Sequence, residues 1–149
     1  MNVAFLLTPK SDIVTLRDTM TLRQAMEKME YHKYSAVPVI DRDGRYIYTL
    51  SEGDILWYLK DSGHLDLRGT EEVVISEVPR SRTIDAVSIN EDIDYVLDLT
   101  RFQNFVPVVD DSGIFIGMVK RSDLMISSIY AHRNRAVSRP TRLIAQSSL

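Results

Sequence analysis

Part of this chain is written twice, and that limits how it can fold more than any other feature. Val37-Pro38-Val39-Ile40-Asp41-Arg42-Asp43-Gly44 returns 69 residues later as Val106-Pro107-Val108-Val109-Asp110-Asp111-Ser112-Gly113. The match runs without a gap to Asp54 and Asp123, and seven of its 18 aligned positions are identical. Other positions exchange like for like, such as Tyr46 with Phe115 and Leu50 with Val119. A chain of 149 residues is the usual size of one domain. A repeat inside that length means two supersecondary units, each too small to cover both faces of its own sheet.

Each copy reads as one such unit. Ala36–Ile40 is a short apolar run closed by Asp-Arg-Asp-Gly, and a strand-like pattern resumes from Arg45 to Leu50. That is a hairpin, with Gly44 where a positive φ is often required. Asp110-Asp111-Ser112-Gly113 plays the same part between 105–109 and 114–119. Upstream, Leu22, Ala25, Met26 and Met29 recur at helical spacing behind Thr21-x-x-Gln24, a capping-box pattern. Ile93, Val96, Leu97 and Thr100 form the matching stripe behind Asn90-Glu91-Asp92, in a segment about two residues shorter. Second helices are expected over 54–60 and 122–130, and residues 13–16 and 86–89 are candidates for edge strands. Pro38 and Pro107 have no amide donor, so each strand needs an unpaired position there. The reading is an α+β fold of two tandem βαββα units packed sheet to sheet about a pseudo-two-fold axis. The first repeat is placed at 1–60, a linker at 61–72, the second repeat at 73–130 and a basic tail at 131–149.

Composition excludes several functions. There is no cysteine, hence no disulfide framework and no thiol nucleophile. His32, His64 and His132 are isolated and lack metal-ligand spacing. No glycine-rich phosphate loop and no nucleophile-elbow or His/Ser/Asp pattern is present, so no enzyme is expected. No apolar run approaches the roughly 20 residues of a membrane span. The N-terminal apolar run lacks a basic flank and a cleavage site, so a cytoplasmic protein is expected. The net charge of −3 argues against general nucleic-acid binding. Arg133, Arg135, Arg139 and Arg142 in the tail leave weak nucleic-acid binding as an alternative, against a solvated, partly disordered end.

At this point the residues resemble a known family. A helix, then x-x-Pro-Val-(Val/Ile)-Asp-x-x-Gly, a strand, and (Ser/Thr)-x-x-Asp opening a helix is similar to the CBS domain. Two in tandem, from about Ile13 to Tyr130, look like a Bateman module. The resemblance implies two intertwined units with two clefts between them. It also implies dimerisation into a flat disk and binding of adenosine-containing ligands that regulate another protein. No cofactor is required on this reading. The competing class is a structural or dimerisation module whose clefts stay empty.

Carried over residue by residue, the resemblance places Ser51, Glu52 and Asp54 in one cleft, facing Asn104, Phe105 and Val106 and the segment Thr83, Ile84 and Asp85. It places Lys120, Arg121 and Asp123 in the other, facing Ser35, Ala36 and Val37 and the segment Ile13, Val14 and Thr15. Ser51-x-x-Asp54 reads equally as a helix N-cap with an acid in the first turn, or as a carboxylate for ribose hydroxyls beside amides that face a phosphate. Lys120 departs from the pattern by replacing the hydroxyl residue. With Arg121 beside it, the second cleft is expected to favour phosphate, and Glu52 to disfavour anions in the first. His32, Lys33, Arg80 and Arg82 are further candidates for phosphate contact, or simply solvated charges. Trp57, Tyr58, Tyr31 and Tyr34 are expected in the core or a dimer interface. The apolar helix residues Ile55, Leu56, Leu59, Leu124, Met125 and Ile129 point to a homodimer, unless all of them fill the monomer core.

Overall fold

The computed structural model describes residues 2–63 and 66–126. The expected helix end near Tyr130, Ile129, His64, His132 and the arginine tail lie outside the described residues. Local sequence dictates the first helix, α1 (Leu22–His32). The Thr21 hydroxyl accepts from the Gln24 amide and the Gln24 side chain accepts from the Thr21 amide, closing the capping box, while Leu22, Ala25 and Met29 are buried. α1 leads into β3 (Ala36–Ile40), β4 (Tyr46–Ser51) and α2 (Glu52–Ser62). The second repeat runs through α3 (Ile93–Leu99), β6 (Phe105–Val109) and β7 (Phe115–Lys120), and residues 121–126 begin its last described helix. α3 has seven residues against eleven in α1. Its packing comes from Val96, Ile93 and Leu99 rather than Leu97, which is exposed.

Both hairpins turn on the same device. Asp41 accepts from the amides of Asp43 and Arg45, and Gly44 stands at φ 87°. Asp110 accepts from Ser112 and Ile114, with Gly113 at φ 81°. A side chain at either glycine would be strained. β2 (Leu16–Arg17) adds to β3 in parallel, and β5 (Val87–Ser88) adds to β6 in the same way. β2 reaches only Val39 and Ile40, which leaves Pro38 without a strand partner on that side.

The two units meet at their hairpin tips. The Tyr46 amide donates to Gly113 O at 3.3 Å, and the Phe115 amide donates to Gly44 O at 2.9 Å. These bonds exchange under the 69-residue repeat, so the pseudo-two-fold axis passes between them. Ile40, Phe115 and Met118, packed with Ile13, Tyr46 and Phe105, fill the space between the sheets.

The chain also crosses between repeats, which the repeat alone does not reveal. Val3 is fully buried among Val87, Val96, Val106, Val108, Val119 and Leu124, the core of the second unit. Ile75 and Val78, at the start of the second repeat, are buried with Leu16, Leu22, Val37, Val39 and Leu50 in the first. Each such side chain stabilises its adopted unit by about 1.5–3 kcal/mol. β1 (Thr8–Pro9) completes the crossing by pairing antiparallel with β7, giving sheet orders β2-β3-β4 and β1-β7-β6-β5.

Gly117 admits β1. A Cβ there would lie 2.3 Å from Thr8 O and 2.8 Å from a Leu7 methyl. The matching position in the first unit is Tyr48, whose ring lies under the Arg80 guanidinium at 4.1 Å. The first sheet therefore takes a cation–π contact where the second takes a strand. Gly117→Ala is expected to cost about 1–3 kcal/mol by overpacking. Chemical denaturation should show that loss, and hydrogen exchange should show β1 released from β7; a wild-type midpoint would contradict this account of Gly117.

Candidate functional site

The crossing segments leave two clefts on either side of the pseudo-two-fold axis. Ser35, Ala36, Asn104 and Phe105 line both, so the starts of β3 and β6 form the wall between them. Backbone bonds fix each helix start against that wall. Glu52 N donates to Ser35 O at 2.8 Å, and Arg121 N donates to Asn104 O at 2.9 Å.

The larger cleft, about 930 Å³, brings together Ser51, Glu52 and Asp54 from the start of α2 with Thr83 and Ile84 from the crossing segment and Asn104 and Phe105. Thr49, Ser81, Arg82, Arg101, Phe102 and Gln103 also line it. Arg121 lines it too, although the sequence reading assigned Arg121 to the other cleft. The reason is local: the Arg121 guanidinium Nε donates to Thr100 O at 2.7 Å, which swings the side chain across the β6 end of the wall. Arg82, Arg101 and Arg121 thus line this cleft together with Glu52 and Asp54, so cations as well as acids surround it.

The smaller cleft, about 290 Å³, is lined by Ile13, Val14, Ser35, Ala36 and Lys120, with Asp12, Lys33, Tyr34, Pro38, Met118 and Ser122. Thr15 and Asp123 are not among its lining residues, and neither is Val37, which is buried in the first core. Val106 and Asp85 are likewise absent from the lining of the larger cleft. Lys33 ends α1 in the left-handed conformation at φ 59°, which sets it at the mouth of the smaller cleft. Ligand sites typically span about 300–1,000 Å³, a range whose two ends these clefts approach.

Asp54 is only 4% exposed. One of its oxygens accepts from the Ser51 amide, closing a capping box on α2, and the other accepts from the Ser81 amide at 2.8 Å and the Ser81 hydroxyl at 2.9 Å. Burial opposes ionisation of Asp54, but the hydrogen bonds from Ser81 and Ser51 outweigh it and hold the carboxyl below its ordinary range. Its sequence partner Ser81 lies 27 positions away, and neither residue type signals the pairing.

Thr49 and Ile84, which line the larger cleft, are tied together by a tyrosine. The Tyr46 hydroxyl donates to Ile84 O at 2.8 Å and lies 2.9 Å from the Thr49 hydroxyl. Burial pushes the Tyr46 phenol up to about 12. The matching residues in the second unit are Phe115 and Met118, which carry no hydroxyl. Gln103 is buried and pins the crossing segment from the other side, accepting from Asp85 N and donating to Asp85 O and Phe105 O. Sequence periodicity gave no sign of these struts. The exchange of Tyr46 for Phe115 inside the repeat was their visible trace.

Among the described residues no group of three or more His, Asp or Glu side chains is placed to hold a metal ion. His32 stacks on Tyr34 and packs edge-on against Tyr31, an aromatic cluster on the surface. Tyr31 is 82% exposed, so it belongs to no core, whereas Tyr58 packs against the first core.

A CBS domain model matches residues 6–61 and again 75–129. The solved structure of CbpB in complex with c-di-AMP aligns at a TM-score of 0.82 and 20% identity, over 93% of this chain and 91% of that one. A CBS domain protein from Streptococcus pneumoniae aligns at 0.77 and 26% identity over 87% of each chain. CBSX2 in complex with AMP aligns at 0.69 and 19% identity, over 88% of this chain and 98% of that one. No curated protein matches the sequence significantly. With the family pattern present in both halves and the expected crossed, two-cleft architecture between them, the chain belongs to the CBS domain family as a tandem pair.

Proposed function

We propose that this CBS pair is a regulatory module that binds an adenosine nucleotide in the larger cleft and acts on another protein without catalysing a reaction. The observation that carries this reading is the composition of that cleft: Arg82, Arg101 and Arg121 share it with the apolar surface of Ala36, Ile84 and Phe105. A flat base suits the apolar side and phosphates suit the guanidinium groups. The likeness to CbpB bound to c-di-AMP and to CBSX2 bound to AMP supports the same ligand class. A sensor of such nucleotides belongs in the cytoplasm, and no helix among the described residues is long and apolar enough to cross a membrane.

A homodimer is part of the same reading. Leu56 and Trp57 on α2 are 56% and 52% exposed, and their repeat equivalents Met125 and Ile126 are 58% and 54% exposed. Ile55 and Leu124 are buried and serve the monomer cores. Apolar side chains presented at equivalent positions of both units form a surface suited to closed two-fold pairing.

Calorimetry with AMP, ADP, ATP, S-adenosylmethionine and c-di-AMP is expected to give heat with at least one, and silence with all would overturn the sensor reading in favour of a purely structural module. Arg82→Ala and Arg101→Ala should each weaken binding by about tenfold at low salt, most for the ligand with most phosphates, and the effect should fade as salt is added. Lys120→Ala should leave affinity near wild type; a larger loss there than at the arginines would move the ligand to the smaller cleft. Light scattering should return twice the monomer mass, and Trp57→Asp should halve it. A monomer mass for the wild type at micromolar concentration contradicts the dimer.

A further inference from the structure

The Asp54 carboxylate that lines the larger cleft is already in use. Both Asp54 oxygens accept hydrogen bonds, and Ser81 supplies two donors to the oxygen that does not cap α2. We propose that Asp54 and Ser81 form a clasp that a bound ribose opens by donor exchange, so that clasp opening is the regulatory event of the larger cleft. This rests on the nucleotide reading above. The exchange is chemically even: two sugar hydroxyls replace one amide and one hydroxyl on the same carboxylate, with no charge moved.

Two further observations support it. Asp54 and Ser81 line the larger cleft and also a second cavity of about 190 Å³ behind it, which Trp57, Tyr58 and Arg80 share. The clasp is therefore a partition, and opening it joins the ligand cleft to a cavity on the face of α2 that carries Trp57. Apart from the clasp itself, the segment bearing Ser81 is held at its two ends. Arg80 lies over Tyr48, and Ile84 O is held by Tyr46, while Ser81, Arg82 and Thr83 between them are exposed. In the second unit Asp123 makes no hydrogen bond among the described residues, so the clasp belongs to one cleft only. Ligand in the larger cleft is in this way reported to the exposed face of α2.

The test is to titrate wild type and Ser81→Ala with AMP and with its 2′,3′-dideoxy analogue, reading affinity by calorimetry and Trp57, the sole tryptophan, by emission. Ser81→Ala removes a competing donor, so AMP is expected to bind about tenfold more tightly than to wild type, with a smaller gain for the analogue that lacks the sugar donors. Trp57 emission should change as AMP saturates the wild type. Equal AMP affinity in both proteins, equal gains for AMP and the analogue, or unchanged Trp57 emission at saturation overturns the clasp and leaves the nucleotide reading standing. No binding of AMP to either protein overturns both.

Discussion

The structure depends on the crossed supply of core side chains. Val3 packs into the second unit, and Ile75 and Val78 pack into the first. A unit of three short strands and two helices buries too little apolar surface to offset its own ordering entropy. Each repeat lends its N-terminal segment to the other's core, which ties the two units together. This exchange also carries residues 10–16 and 80–86 across the space between the sheets. Those passages are the outer walls of the clefts, so the interaction that stabilises the fold also builds the site.

Pseudo-symmetry is strict where hydrogen bonding demands it and loose elsewhere. The Asp41 and Asp110 turns, the paired bonds between hairpin tips and the bulges after Val39 and Val108 repeat closely. Gly117 against Tyr48, and Tyr46 and Thr49 against Phe115 and Met118, do not. Tyr46 reaches Ile84 O, Tyr48 meets Arg80 and Gly117 meets Thr8, so these differences fall where crossing segments pass. The clefts differ in lining as well, with Arg82, Arg101 and Arg121 in the larger and Lys33 and Lys120 in the smaller.

The hairpins and α1 were legible because their signals are local: an Asp-x-x-Gly turn, a capping box and a stripe at helical spacing. The family pattern then supplied the pairing of the units and the two clefts. The crossing of β1 was not legible, since two residues carry no periodicity and Gly117 reads as an ordinary strand interruption until Thr8 is placed beside it. Arg121 was assigned to the wrong cleft because the repeat register fixes its backbone but not the Thr100 carbonyl that turns its side chain. The Asp54–Ser81 pair escaped for the same reason. A contact over 27 positions between two common residue types leaves no mark in sequence. Ile55 and Leu124 were expected on an outer face because helical spacing alone does not say which of two apolar sides a short helix buries.

The central claim is that the larger cleft, framed by the crossing segment, is where a nucleotide acts. A backbone-amide NMR titration with AMP tests it most directly. The account predicts the largest shifts at Ser81 to Ile84 and at Asn104 and Phe105, with smaller ones following at the exposed face of α2. Shifts confined to Ile13, Val14 and Lys120, or to the surface of Leu56 and Trp57 with the cleft unmoved, would contradict it.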